Sequence, residues 1–290
     1  MEAAILVGLV SGVVGSLVVV RGMSFFADAL AHTILPGVAY MYQRSRDGDV
    51  PDFAEENPLF WGGLMAGIVS ALLIGVLTRN ARLRNDTAFG VDFVGMFALG
   101  IAMVSRVESY AGDLTHILFG QILGVSDSLL RLTLIFSLIV LGLVVLFYKE
   151  FLTVSFDPVL SRTLGLPTEF FRFLLLILMA LTIVVSLQIV GIALMLALLI
   201  TPAATASLMT HRLHWMMLLS GIIGMASSII GFYLSYHIDV STGPAIVLVA
   251  TALFFFVFIE QALSRYAVLL ARRIGEFFPL VRQRMPVASE

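Results

Sequence analysis

Asp28 and His32 stand four residues apart in the stretch FFADALAHTILPG, Phe25 to Gly37, of a chain that carries very little charge. At that spacing two side chains project from the same face of a helix. A carboxylate oxygen beside an imidazole nitrogen suits a borderline divalent cation, Zn²⁺ and also Mn²⁺ or Fe²⁺. Counted from Arg21 at roughly 1.5 Å per residue, Asp28 and His32 lie about 10 and 16 Å deep, near the middle of a membrane. A charged residue there costs about 2.5–3.5 kcal/mol on insertion scales, so such groups face a cavity or the interior of a bundle. Two donors do not close a cation site. Two copies of this helix about a two-fold axis would supply four. The competing reading is that the pair bonds each other or a neighbouring helix and serves packing alone. Pro36 is expected to bend or end the helix and to open backbone carbonyls to a pathway.

Other candidates carry weaker signals. Asp113 and His116 are three apart, the first just before and the second within the piece Leu114–Val125, which is too short to span a bilayer and reads as re-entrant. They are a candidate entry site for a cation, against the plainer role of ordering a loop. His237 and Asp239 offer similar chemistry in a later loop. His211, Arg212 and His214 read as a solvated turn, and Gln188 and Glu260 as polar groups at span edges. Pro202, in the stretch ALLITPAATASLM, is a second expected helix break.

The elements that position these residues are membrane helices. Hydrophobic residues make up 60% of the 290 and charged residues 12%, and the mean hydropathy is +1.04. One core cannot hide that much apolar surface in water. The fold class is all-α and polytopic, with about eight or nine spans of roughly 20 residues and a short re-entrant helix. The apolar segments run over 3–20, 24–43, 59–78, 88–105, 129–148, 170–187, 189–209, 214–235 and 243–263. A single membrane domain is expected over 1–265, with a basic tail over 266–290. Gly8, Gly12 and Ser16 in the first span, and Gly63 and Gly67 in the third, recur at the spacing that lets helix backbones approach.

Arginines set the orientation. Arg79, Arg82, Arg84, Arg162, Arg172, Arg212 and the tail arginines Arg265, Arg272, Arg273, Arg282 and Arg284 fall on one side if each segment crosses once. That side is cytoplasmic and holds the C-terminus. The opposite loops carry Asp47, Asp49, Asp52, Glu55, Glu56, Glu108, Asp113 and Asp239, and Arg44, Arg46 and Arg106, which run against the trend, are outnumbered. Cysteine is absent, which excludes disulfides and thiolate metal sites. The formal net charge of −2 gives no footprint for nucleic acid. Lys149, the only lysine, is followed by Glu150, so no Gly-x-x-x-x-Gly-Lys-Ser/Thr loop exists to bind ATP. No His-Glu-x-x-His is present, which speaks against an intramembrane metalloenzyme.

In Thr153–Phe173, Asp157 followed by Pro158 is a helix start, Gly165 a stop, and Pro167 follows. A helix of about two turns is expected over 158–164.

The run RGMSFFADALAHTILPGVA resembles the N-terminal signature of the ABC-3 family, the permease subunits of importers for zinc, manganese or iron. Ala27 and Ala31 stand where many relatives carry Gly and Ser. DLTHILFGQILGVSDS, Asp113–Ser128, and ALLITPAATASLM, Ala197–Met209, resemble two further family segments, in family order. The resemblance implies a multi-pass homodimer in a bacterial cytoplasmic (inner) membrane, a cytoplasmic ATPase dimer and an extracytoplasmic metal-binding protein. It implies that Asp28 and His32 line the metal pathway. It also implies that the short helix is the coupling helix, with Asp157, Pro158, Leu160, Leu164 and Gly165 in that role. No tightly bound cofactor is expected. The metal is cargo, Zn²⁺ first and Mn²⁺ next, and ATP binds the partner subunit, so the chain itself is not expected to be an enzyme. The alternative is a secondary transporter in which Asp28 carries a coupling proton. An importer for a metal chelate is disfavoured, since its wide cavity needs no ligating pair.

Overall fold

A computed structural model describes residues 1–79, 84–105 and 125–283, with side chains described through Ser264. Every regular element among them is helical. The order is α1 (Glu2–Val20), α2 (Ser24–Thr33), α3 (Leu35–Asp47), α4 (Pro58–Leu77), α5 (Asn85–Val104), α6 (Asp127–Leu146), α7 (Tyr148–Phe156), α8 (Pro158–Thr163), α9 (Thr168–Met209), α10 (Leu213–Ile238) and α11 (Thr242–Gln283). A single 3₁₀ turn, Asp52–Ala54, sits between α3 and α4.

Seven of these helices are long and apolar enough to cross a membrane. One of them, α9, crosses twice. Gly191 breaks it with φ 76° and ψ 171°, a conformation open in practice only to glycine. Ser186 before the break and Leu199 after it both lie beside one turn of α1. The Ser11 and Ser186 hydroxyls are 3.1 Å apart, and Gly15 packs against the Leu199 carbonyl. The two arms, 168–190 and 192–209, therefore run in opposite directions. The first arm is antiparallel to α4: Gly63 and Gly67 meet Val184 at the Gly191 end, and Arg172 meets Gly75 at the other. Helices α2 and α3 together make one further crossing in two pieces, giving nine in all among the described residues.

The small residues mark the tightest crossings. A Cβ on Gly8 would lie 2.6 Å from the Gly224 carbonyl oxygen. The Ser220 hydroxyl donates to the Gly12 carbonyl at 2.6 Å. Helices α1 and α10 thus touch backbone to backbone, as small-residue spacing permits where no hydrophobic force separates helix from lipid. Gly37 and Gly62 do the same between α3 and α4. The centre of the bundle is α9, packed by α1, α4, α10 and α11. Fully buried Leu17, Leu30, Ile34, Leu175, Met179 and Ile183 fill the space between. Beyond Ser264 the last span simply continues as helix to Gln283, so the described part of the expected tail is an extension of α11.

Candidate functional site

Helix α2 holds Asp28 and His32 on one face. His32 Nε2 is 3.9 Å from Asp28 Oδ1, beyond hydrogen-bond reach. The pair therefore does not satisfy itself, and the packing-only reading loses its simplest form. The Asp28 side chain is 48% exposed and that of His32 28%, while Phe26, Ala27, Leu30 and Ala31 around them are buried. The polar edge of α2 faces outward from the single chain, and its apolar edges face in.

Helix α5 fixes the imidazole. The His32 ring stands edge-on to Phe93 at 5.5 Å and to Phe97 at 5.8 Å. Those two rings stack on each other at 5.6 Å, and Phe26 packs on Phe89 one turn away. Aromatic residues at 89, 93 and 97 are a helical stripe, so α5 presents a wall of rings along the Asp28–His32 face. No group of three or more His, Asp or Glu side chains able to hold a metal occurs among the described residues.

The break in the helix falls where proline dictates. Pro36 has no N–H to give to the His32 carbonyl four residues back, and the helix divides at Ile34. The His32 carbonyl takes the Ile34 N–H instead, so the carbonyl opened by the break is not left free. Pro202 behaves differently from expectation. It lies buried inside the second arm of α9, whose backbone stays helical through it, and the only non-helical residue in α9 is Gly191. Close packing by α1 and α10 holds the helix across the missing bond. Asp113 and His116 lie outside the described residues.

Sequence reading passes over Asp92. It sits inside α5, 2% exposed, and accepts a hydrogen bond from Ser70 Oγ on α4. Its second oxygen is buried with no partner among the described residues. Asp92 follows directly after Val91 in an apolar run, and an ionisable residue inside a span is the signal that finds it. No donor four residues along drew attention to it.

The short helix forms as its residues require. Asp157 Oδ1 accepts from the Val159 and Leu160 N–H groups at 3.0 and 2.9 Å, and Pro158 opens the first turn. At the far end the Gly165 N–H donates to the Arg162 carbonyl and the Leu166 N–H to the Ser161 carbonyl, both at 3.1 Å. This closure needs a left-handed residue, and Gly165 supplies it at φ 73°. The helix ends at Thr163, with Leu164 as its cap. Val159 and Leu164 are 71% and 63% exposed, an apolar edge that no described residue covers. Beside this helix a hollow of about 490 Å³ is lined by Tyr148, Phe156, Asp157, Leu160, Arg212 and His214. The turn carrying His211, Arg212 and His214 is thus a wall of that hollow.

Comparison with known proteins adds the following. The family model described as the ABC 3 transport family matches residues 1–261. The chain is 45% identical over 256 residues to the manganese transport system membrane protein MntC of Listeria monocytogenes, covering 88% of this chain and 87% of that protein. It is 37% identical over 255 residues to the chelated iron transport system membrane protein YfeD of Yersinia pestis, covering 88% and 82%. Among solved structures, PsaBC from Streptococcus pneumoniae in complex with Fab superposes with a TM-score of 0.74 at 37% identity, covering 88% of both chains.

Proposed function

The chain belongs to the ABC 3 transport family, and from that premise we propose that it is the membrane permease of an importer carrying a divalent metal ion into the cytoplasm, manganese foremost. The observation that carries the reading is the Asp28–His32 pair: a carboxylate and an imidazole on one face of α2, 3.9 Å apart, not hydrogen-bonded to each other, and on the edge of that helix that the single chain leaves open. The Phe93 and Phe97 rings hold the imidazole so that its nitrogens stay with the carboxylate. A second copy of the chain related by a two-fold axis completes the set of donors, and the dimer places the polar edge of α2 at a shared pathway. Helix α8, with its uncovered Val159 and Leu164, docks on a separate cytoplasmic ATPase. An extracytoplasmic binding protein delivers the ion.

The donor set alone puts zinc ahead of manganese in affinity, but affinity order does not decide selectivity. The relatives named for manganese and for chelated iron support manganese first, iron next and zinc after them. The metal is substrate here. It exchanges water for the carboxylate and imidazole, and it leaves when the helices carrying them part.

The test is total cellular manganese, iron and zinc under metal scarcity, in cells carrying the intact permease, none, or Asp28→Ala. Manganese falls alike in the deletion and in Asp28→Ala, with the variant still inserted in the membrane. A fall in the deletion with normal manganese in Asp28→Ala returns the pair to packing. No change of any metal in the deletion, other importers being absent, removes the importer reading.

A further inference from the structure

The docking helix is fastened to the start of α9. Ser161, fully buried in α8, shares a 2.8 Å hydrogen bond between hydroxyls with Thr168 in the first turn of α9. The Gly165 turn closes the connection between them. Helix α8 is thus tied to the first turn of α9 by side chain and backbone.

One turn into α9 stands Arg172, and it reaches a different part of the molecule. Its Nη2 donates to the Gly75 carbonyl at 2.7 Å, and its Nη1 lies 3.4 Å from the Thr78 carbonyl. These carbonyls belong to the last turn and cap of α4, which has no helical donors left for them and whose dipole favours a cation there. Glu169 Oε2 lies 3.1 Å from Arg172 Nη2 as an ion pair outside hydrogen-bond geometry, with its other oxygen 4.0 Å from Arg162 on α8. Phe173, the next residue, lays its ring on Gly75 and leaves no room for a Cβ. Helix α4 crosses α3 backbone to backbone at Gly62 and Gly37, and α3 continues the helix of Asp28 and His32.

Arg21, in the turn between α1 and α2, lies near the same spot. Burial first, and then the charge of Arg172, lower its pKa from the ordinary arginine value. Its Nη1 is buried without a partner among the described residues.

We propose that Arg172, seated by Glu169 and Phe173, is the positioning residue that passes displacement of the docking helix to α4 and through it to the Asp28–His32 helix. This rests on the reading of the chain as an importer permease. Such a link is a contiguous physical connection between two sites. The guanidinium suits it because one rigid fork engages two carbonyls and a carboxylate at once.

The test uses the full complex, permease with its ATPase and binding protein, reconstituted in lipid vesicles. ATP hydrolysis and uptake of Mn²⁺, with Fe²⁺ and Zn²⁺ in parallel, are measured in the same vesicles for wild type, Arg172→Gln, Arg172→Lys and Phe173→Leu. Arg172→Gln hydrolyses ATP near the wild-type rate but takes up about tenfold less metal per ATP, the size of a typical coupling between sites. Arg172→Lys keeps the charge and one carbonyl, and recovers part of the ratio. Phe173→Leu lowers it in the same direction. An unchanged ratio in Arg172→Gln overturns the proposal, as does a parallel loss of hydrolysis and uptake in all three variants. Where Arg172→Gln does not assemble with its partners, Phe173→Leu decides on the same ratio. Absence of metal uptake by the wild type overturns the importer reading and this proposal with it. Uptake by the wild type with unaltered ratios overturns this proposal alone.

Discussion

At the scale of single residues, two aspartates in membrane helices meet opposite fates. Asp28 stands on an open edge beside a histidine that it does not bond. Asp92 is enclosed, with one oxygen on Ser70 and the other on nothing described. The first arrangement is available to a ligand, and the second joins α5 to α4. Removing the second has a bounded cost. Interhelical hydrogen bonds in membranes are worth about 0.6–2 kcal/mol. Asp92→Ala is expected to lose about that much, and Asp92→Asn, which keeps an acceptor for Ser70, to lose less. Thermal unfolding midpoints of the purified protein in detergent check this. Equal midpoints for Asp92→Ala and wild type would remove the Ser70 bond from the account.

At the scale of elements, the short helix α8 is specified at both ends. A side-chain cap such as Asp157 is worth about 1 kcal/mol against alanine. The left-handed Gly165 cannot become proline, whose φ is locked near −65° and which has no N–H for the Arg162 carbonyl. In the reconstituted complex, Gly165→Pro is expected to leave ATP hydrolysis running while uptake of Mn²⁺ is lost. Gly165→Ala pays only about 1–2 kcal/mol for a left-handed alanine and keeps most of the uptake. Full uptake in Gly165→Pro would mean that the closure of α8 has no part in coupling. The α2–α3 break shows the same logic from the other side: one proline, at a position where the helix cannot bridge it, ends α2 just past His32.

At the scale of the whole molecule, the fold-back at Gly191 brings the crossings among the described residues to nine. The Asp52–Ala54 loop and helix α8 lie on opposite faces. The chain has no cysteine, so single cysteines report cleanly. Phe53→Cys, at an exposed position, is expected to react with a membrane-impermeant maleimide on intact cells. Leu164→Cys, also exposed in the single chain, is expected to react only after the membrane is opened, in cells that make the permease without its ATPase. Labelling of Leu164→Cys on intact cells would reverse the orientation read from the arginines.

Local chemistry and periodicity are written in the sequence, and they determined much of this protein. The apolar runs place the spans to within a few residues because an unpaired backbone group in lipid is costly enough to force helix wherever the chain is greasy. Asp157–Pro158 and Gly165 announce α8 because caps act on their own neighbours. Asp28 and His32 share a face by spacing alone. What depends on distant partners only the tertiary structure decided. Pro202 leaves its helix unbroken because α1 and α10 hold it. The apolar runs already divide 170–187 from 189–209, but only the tertiary structure shows that Gly191 is the residue at which the chain reverses, since no local pattern tells a glycine that packs from one that turns the chain. Asp92 finds Ser70, and Arg172 finds the end of α4, across separations in sequence that no spacing rule covers.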